Sequence, residues 1–154
     1  MRRTLLERAK KNYPTKEFIK GDVYNIPFEN GYFDGAFATT VWFHLKDINK
    51  ASLELGRILK TGAKFLIINP NPDSYDIWIT NYKDIIEKKD NMIRGKVRIP
   101  HVVLPENTFY MHKKEEIINA LEKTGLEVGN IEPFCPMKDF NNRDFFVLYS
   151  GLKK

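Results

Sequence analysis

Apolar positions recur along the chain with two periods, and the changes between them mark out its elements. Leu5, Leu6 and Ala9 share a helical stripe, Tyr13 follows a turn later, and Pro14 stops the run, which predicts an amphipathic helix over 1–12. Glu17-Phe18-Ile19-Lys20 reads as a short strand ended by Gly21-Asp22, followed by a loop over 23–32 with Pro27 and the turn pair Asn30-Gly31. Phe33 to Thr40 is a second strand, and its small residues Gly35, Ala36 and Ala38 imply close neighbours on both faces, as in an inner parallel strand. Asp47 is placed to cap a helix whose stripe is Ala51, Leu55, Ile58 and Leu59, with Gly62 at its left-handed end.

Phe65-Leu66-Ile67-Ile68 is a continuous apolar strand, and Ser74 is placed to cap a helix carrying Trp78, Tyr82, Ile85 and Ile86. Residues 91–107 read as irregular, with Pro100 and Pro105 bracketing an extended His101-Val102-Val103-Leu104. A helix over 113–124 buries Ile117, Ile118 and Leu121 and closes at Gly125. Leu126 to Ile131 and Phe145 to Tyr149 read as two last strands, an antiparallel hairpin at one edge. Early strands alternating with helices define an α/β class with a mostly parallel sheet.

Composition narrows the class and leaves function open. The chain has 154 residues, with 42% hydrophobic, 29% charged and 13% aromatic, which excludes disorder, collagen and coiled coil. A chain of this length buries about 70% of its unfolded surface, so one domain over 1–154 is expected. Its single cysteine, Cys135, excludes an internal disulfide and a cysteine-based zinc site. His44, His101 and His112 have no i, i+4 relation, so no metal is expected. No apolar run approaches the ~20 residues needed to cross a bilayer, and no signal-peptide core is present, which points to the cytoplasm. The net charge of +5 is spread along the chain and interleaved with acids, a solvated-face pattern that disfavours nucleic acid as a partner.

Four motifs in order resemble the class I S-adenosylmethionine-dependent methyltransferases of the small-molecule type. Phe18-Ile19-Lys20-Gly21-Asp22-Val23-Tyr24-Asn25-Ile26-Pro27-Phe28 is similar to that family's strand 3 and the acidic motif after it. Phe33-Asp34-Gly35-Ala36-Phe37-Ala38-Thr39-Thr40-Val41-Trp42-Phe43-His44-Leu45 is similar to strand 4 and its continuation. Arg57-Ile58-Leu59-Lys60-Thr61-Gly62 resembles the family's Arg-x-Leu-Lys-Pro-Gly helix end, with Thr61 in place of proline. Leu121-Glu122-Lys123-Thr124-Gly125-Leu126-Glu127-Val128 resembles the late helix-to-strand turn. The resemblance implies a Rossmann-like methyltransferase fold and S-adenosylmethionine as cofactor. It also makes the Asn30-Gly31 pair a connection to strand 4, although apolar runs flanking Asn-Gly argue locally for a hairpin.

The same resemblance assigns roles. Asp22 would accept a hydrogen bond from the adenine amino group, and the Val23 amide would face the ring; the plain alternative is a Gly-Asp turn. Thr39 and Thr40 would lie beside the methionine part of the cofactor, against the alternative of β-branched residues finishing a strand. Asp22, Thr39, Thr40 and Asn69 all fall at strand carboxyl ends, where open α/β sheets bind ligands. His44 is the candidate general base, with a packing histidine as its alternative. Tyr110 and His112, with Asn69, are candidate substrate contacts; an ordinary strand end is the alternative for the first two.

One expected element has no counterpart. No Gly-x-Gly pattern occurs anywhere, so strand 1, helix A and strand 2 of the family, a unit of roughly 30 to 50 residues, are missing from the match. In the family order 3-2-1-4-5-7-6 those strands separate strand 3 from strand 4. The strand at 17–20 is therefore expected to lose its partners, leaving open edges, a repaired pairing, or a homodimer or partner chain completing the sheet. The resulting readings are methyl transfer to a small-molecule acceptor with weak cofactor binding, or a truncated non-catalytic module working through a partner chain or self-association. A nicotinamide-dependent dehydrogenase is disfavoured, since its fingerprint needs the same glycine loop.

Overall fold

The computed structural model describes residues 5–76, 82–99, 102–103, 106–138 and 143–154. Helix α1 (Leu5–Asn12) forms as its periodicity predicts, but it buries none of its residues and Leu5 is 81% exposed. Residues 17–20 form no strand, which corrects the sequence expectation. A strand is stable only when a neighbour takes its backbone groups, and this segment has no ladder partner among the described residues. Beyond Gly21 the chain forms a loop closed by an isolated Asp22–Asn25 bridge.

Strand β1 (Phe33–Thr39) leads through a 3-10 turn at Trp42–His44 into α2 (Ile48–Ile58), which runs directly into β2 (Leu59–Pro70). Asp47 caps α2 as predicted, its Oδ1 accepting the Lys50 amide at 3.0 Å. Gly62 has the predicted positive φ (+83°), yet α2 has already ended at Ile58, so the glycine shapes the start of β2 instead of the helix cap.

The stretch predicted as a helix through Tyr82, Ile85 and Ile86 and an irregular 91–107 is instead a small antiparallel sheet. It comprises β3 (Tyr82–Lys89), β4 (Met92–Ile99), β5 (Val102–Val103) and β6 (Asn107–Tyr110). Lys89 pairs with Met92 across Asp90-Asn91, where Asp90 takes φ +49°. Aspartate tolerates that left-handed geometry, and a two-residue turn of this kind is what couples antiparallel strands. Ile85 and Ile86 are 43% and 50% exposed, so the helical spacing had no buried face behind it. Trp78 and His101 lie outside the described residues.

Helix α3 (Lys114–Glu122) buries Ile117, Ala120 and Leu121, and Gly125 ends it at φ +77° as predicted. Strands β7 (Leu126–Lys138) and β8 (Asp144–Lys153) form the expected antiparallel hairpin, longer than predicted at both ends. The main sheet has the order β1-β2-β8-β7. Only β1–β2 is parallel, whereas β2–β8 and β8–β7 are antiparallel, which corrects the expectation of a mostly parallel sheet. The hairpin return places β8 beside β2 and so reverses the direction of that neighbour.

The core lies between this sheet and the helices α2 and α3, with Trp42, Leu55, Phe65, Ile67, Ile117, Leu121, Leu126 and Tyr149 in one cluster. Gly151 is required beside Phe65: a Cβ there would meet the Phe65 ring at 2.9 Å and collide with the Glu127 carbonyl. The opposite face carries Phe37, Leu66 and Leu152 around an open depression of about 630 Å³. Phe37 is 65% exposed there, at the edge strand of the sheet.

Candidate active site

Two segments lie near the carboxyl end of β1, and Val23 of the first lines one cavity with Val41 and Trp42 just beyond that strand. The first is the loop after Gly21. Asp22 is exposed; its Oδ1 accepts the Tyr24 amide at 2.9 Å and its carbonyl accepts the Asn25 amide at 3.0 Å. An aspartate that closes an Asx turn in this way still has acceptor capacity on its carboxylate. Val23 packs against the core, and the Tyr24 hydroxyl accepts the Asp47 amide at 3.1 Å, tying the loop to the start of α2. The Lys50 ammonium stands 5.7 Å above the Tyr24 ring.

The second segment continues β1. Thr40 takes φ +53°, a left-handed conformation that costs a β-branched residue about 1–3 kcal/mol. It is held there by its amide donating to the Ile68 carbonyl at 2.8 Å and its hydroxyl donating to the Thr39 carbonyl at 2.8 Å. Asn69, fully buried in β2, accepts the Phe43 amide on Oδ1 at 3.2 Å, so the turn after β1 is fastened to the end of β2. Its Nδ2 is buried with no hydrogen-bond partner among the described residues, as is Trp42 Nε1.

His44 follows Phe43 and is exposed. Its ring lies 4.1 Å from that of Phe43 and 4.7 Å from that of Phe109, and the two phenylalanines stack at 4.7 Å and 15°. Strand β6 thereby joins the segment after β1, with the Thr108 carbonyl 3.3 Å from His44 Nδ1.

The structure thus brings together the segments bearing Thr39, Thr40, Asn69 and His44, with Asp22-Val23 alongside at α2. His112 stands apart. It is 5% exposed, with Nε2 2.7 Å from the Leu45 carbonyl and Nδ1 3.5 Å from Asn91 Nδ2, so its polar edge fastens three segments. Tyr110 stacks near it at 6.2 Å. A polar groove of about 700 Å³ lined by Lys46, Asn91, His112, Glu116 and Lys123 opens beside them. Phe109 was missed by sequence reasoning; the aromatic pair Phe109-Tyr110 just ahead of α3 was its one available signal. No group of three or more metal-ligating side chains occurs among the described residues, and no helix among them is long and apolar enough to cross a membrane.

A one-parallel, two-antiparallel sheet ending in a β7–β8 hairpin, with two helices on one face, is part of a Rossmann-like methyltransferase fold. A protein of Pyrococcus horikoshii superposes with TM-score 0.73 at 16% identity, over 97% of this chain and 66% of that one. Residues 1–67 match the methyltransferase domain family. A 2-phytyl-1,4-naphtoquinone methyltransferase of Nostoc punctiforme is 38% identical over 68 residues, covering 43% of this chain and 30% of the relative. A sterol 4-C-methyltransferase of Caenorhabditis elegans is 28% identical over 135 residues, covering 88% and 36% respectively. The chain therefore spans about a third of the length of these curated relatives. By sequence and fold together it resembles a class I S-adenosylmethionine-dependent methyltransferase, and S-adenosylmethionine is the cofactor of that class. Neither relative speaks for the non-catalytic module.

Proposed function

We propose that this chain takes part in methyl transfer from S-adenosylmethionine to a small, largely apolar acceptor of the quinol or sterol kind. The observation that supports the reading is that Val23, next to Asp22, lines one cavity with Val41 and Trp42 just beyond β1, where Thr40 is strained and the buried Asn69 fastens the turn. The exposed Asp22 carboxylate suits an exocyclic amine, whose N–H groups need an acceptor opposite them. The acceptor preference comes from the two relatives, which act on a naphthoquinone and on a sterol by name.

The cofactor, when bound, supplies a methyl group on a positively charged sulfur. The chain's own part is to orient and to handle one proton. Asp22 and the Val23 amide would hold the adenine end, and Thr39 and Thr40 would line the methionine end. Tyr110 would stand on the acceptor side beside His112, which is held by Leu45 and Asn91, and the buried Asn69 would act by fastening the turn that carries Phe43 and His44. Held there, the cofactor would supply its methyl group for an in-line displacement by the acceptor atom. His44 Nε2 would take the proton that the acceptor atom sheds. Positioning supplies most of the acceleration in such a displacement, and the base adds to it according to the acceptor's acidity.

Cofactor binding by the chain alone is expected to be weak, because the open edge of β1 and the exposed Phe37 leave one side of the sheet unaccompanied. A second copy or a partner chain completing the sheet at β1 would strengthen it, and sedimentation of the chain with and without ligand reads that out. The test of function is a titration with S-adenosylhomocysteine, following heat and the thermal midpoint together. Binding that Asp22→Ala abolishes supports the reading. A cooperatively folded chain that shows no binding, at any concentration where it self-associates, turns the reading over to the non-catalytic module.

A further inference from the structure

We infer that Arg57 and Glu54, on the last turns of α2, are the positioning residues that set the Asp22 loop against the sheet. The inference rests on the proposed cofactor role of that loop. The guanidinium has five N–H donors, and each has an acceptor. Nε donates to Glu54 Oε1 at 2.9 Å, and Nη2 to Glu54 Oε2 at 2.8 Å and to the Ile26 carbonyl at 2.9 Å. Nη1 donates to the Phe28 carbonyl at 2.7 Å and to Asn30 Oδ1 at 3.0 Å. Glu54 closes the circuit, its Oε2 accepting the Ile26 amide at 2.9 Å. The Gly31 amide in turn donates to the Arg57 carbonyl at 2.8 Å.

This clasp matters because it supplies most of the polar ties between the loop and the rest of the fold. The loop's backbone belongs to no sheet, and the Asp22–Asn25 bridge and the Phe28 amide to Ile26 carbonyl bond are internal to it. Such bonds fix the loop's shape, while Val23 and Tyr24 pack against the core and Phe28 meets Phe33 of β1 at 4.7 Å, apolar contacts that hold the loop without directing its backbone. The directional ties come from α2, at both ends of the helix. Tyr24 is held at the start by the Asp47 amide, and Ile26, Phe28, Asn30 and Gly31 are held at the finish by Glu54 and Arg57. Asp22 lies two residues before Tyr24 and takes that residue's amide on its carboxylate, so the carboxylate inherits the position of the clasped loop.

Lysine cannot replace Arg57 here. Its ammonium is a single point with three donors and cannot span two carbonyls, an amide oxygen and a carboxylate at once. The side chains of Arg57 and Glu54 are 28% and 14% exposed, so the circuit is partly sheltered without being part of the apolar core. Its loss should therefore loosen the loop more than the fold.

The experiment compares the full wild-type chain with Arg57→Lys and Glu54→Gln. It reads amide hydrogen exchange across 22–31 and across α3, and the dissociation constant for S-adenosylhomocysteine. Arg57→Lys should speed exchange at the Tyr24 and Ile26 amides by about tenfold while the Ile117 and Leu121 amides keep their protection, and should weaken ligand binding by a similar factor. Unchanged exchange in the loop, or acceleration spread equally into α3, overturns the inference. A wild-type chain that binds no ligand removes the functional reading; the exchange comparison then still decides whether Arg57 positions the loop. A wild-type chain that binds, with an Arg57→Lys variant that binds equally well, removes the positioning role alone.

Discussion

The carbonyl oxygen of Thr108 stands 3.3 Å from Nδ1 of His44, across the contact between β6 and the turn after β1. A carbonyl can only accept, so this bond requires the proton on Nδ1 and leaves the lone pair of the neutral ring on Nε2. The tilted ring contacts with Phe43 and Phe109 oppose a turn of the imidazole. Nitrogen-15 NMR of the imidazole should therefore find the neutral form of His44 protonated mainly at Nδ1, the reverse of the usual preference for Nε2–H. Phe109→Ala should let the tautomers mix. A neutral His44 protonated at Nε2 in the wild-type chain would show that the Thr108 contact does not form, and His44 would lose its place as the base.

Glu54 gives the fold a dependence on pH whose sign is fixed. The hydrogen bond from Arg57 comes first among the influences that hold its carboxyl below the ordinary value of 4.5, and burial opposes it. A carboxylate whose pKa is lowered by folding binds its proton less readily when folded, so it stabilises the fold above pH 4.5. That contribution is lost as the pH falls through the lowered value. Wild type should thus be more stable than Glu54→Gln at neutral pH, and the gap should close in acid. Thermal midpoints of the two proteins across that range give the answer, and a gap that is constant with pH would mean the carboxylate is not the source.

Much of the frame was legible because its signals are local. Asp47 before an apolar stripe, Gly125 after one, and the apolar periodicity of Ala51, Leu55, Ile117 and Leu121 each report on a few neighbouring residues, and each is found in its predicted role. The misreadings depend on residues far away in sequence. Glu17 to Lys20 has the composition of a strand and no partner to make it one, while Tyr82, Ile85 and Ile86 match a helical period that the pairing of β3 with β4 overrides. Of the candidate site, the places of the Asp22 loop and of the threonines at the end of β1 could be read from their motifs. The Arg57 circuit and the Phe43–Phe109 stack could not, since each joins segments separated by the fold.

Tyr149 is fully buried in β8, and its hydroxyl has no hydrogen-bond partner among the described residues. Burial holds the phenol proton well above its usual range, so the group stays neutral. Its aromatic ring supports the core, whereas the hydroxyl carries a desolvation cost without a compensating bond. Tyr149→Phe should accordingly leave stability unchanged or raise it by about 1 kcal/mol, and Tyr149→Ala should lower it by about 3–5 kcal/mol. Urea unfolding of both variants checks this. A loss greater than about 1 kcal/mol in the phenylalanine variant would reveal a partner for the hydroxyl, such as a bound water.

Thr40 allows strain to be separated from hydrogen bonding. Its φ of +53° opposes the preference of a β-branched residue, and its hydroxyl bond to the Thr39 carbonyl offsets part of that cost. Glycine accepts the backbone angle freely but raises the entropy of the unfolded chain, so Thr40→Gly should fall between no change and a gain of about 1 kcal/mol. Valine keeps the branch and loses the bond, so Thr40→Val should cost about 1 kcal/mol. The two substitutions should therefore move the unfolding midpoint in opposite directions or differ clearly in size. Equal losses would mean that the strand end does not hold Thr40 in the left-handed region. If the strained backbone also shapes the methionine end of the cofactor site, Thr40→Gly should weaken S-adenosylhomocysteine binding even as it stabilises the fold, and calorimetry on the same samples measures that separation.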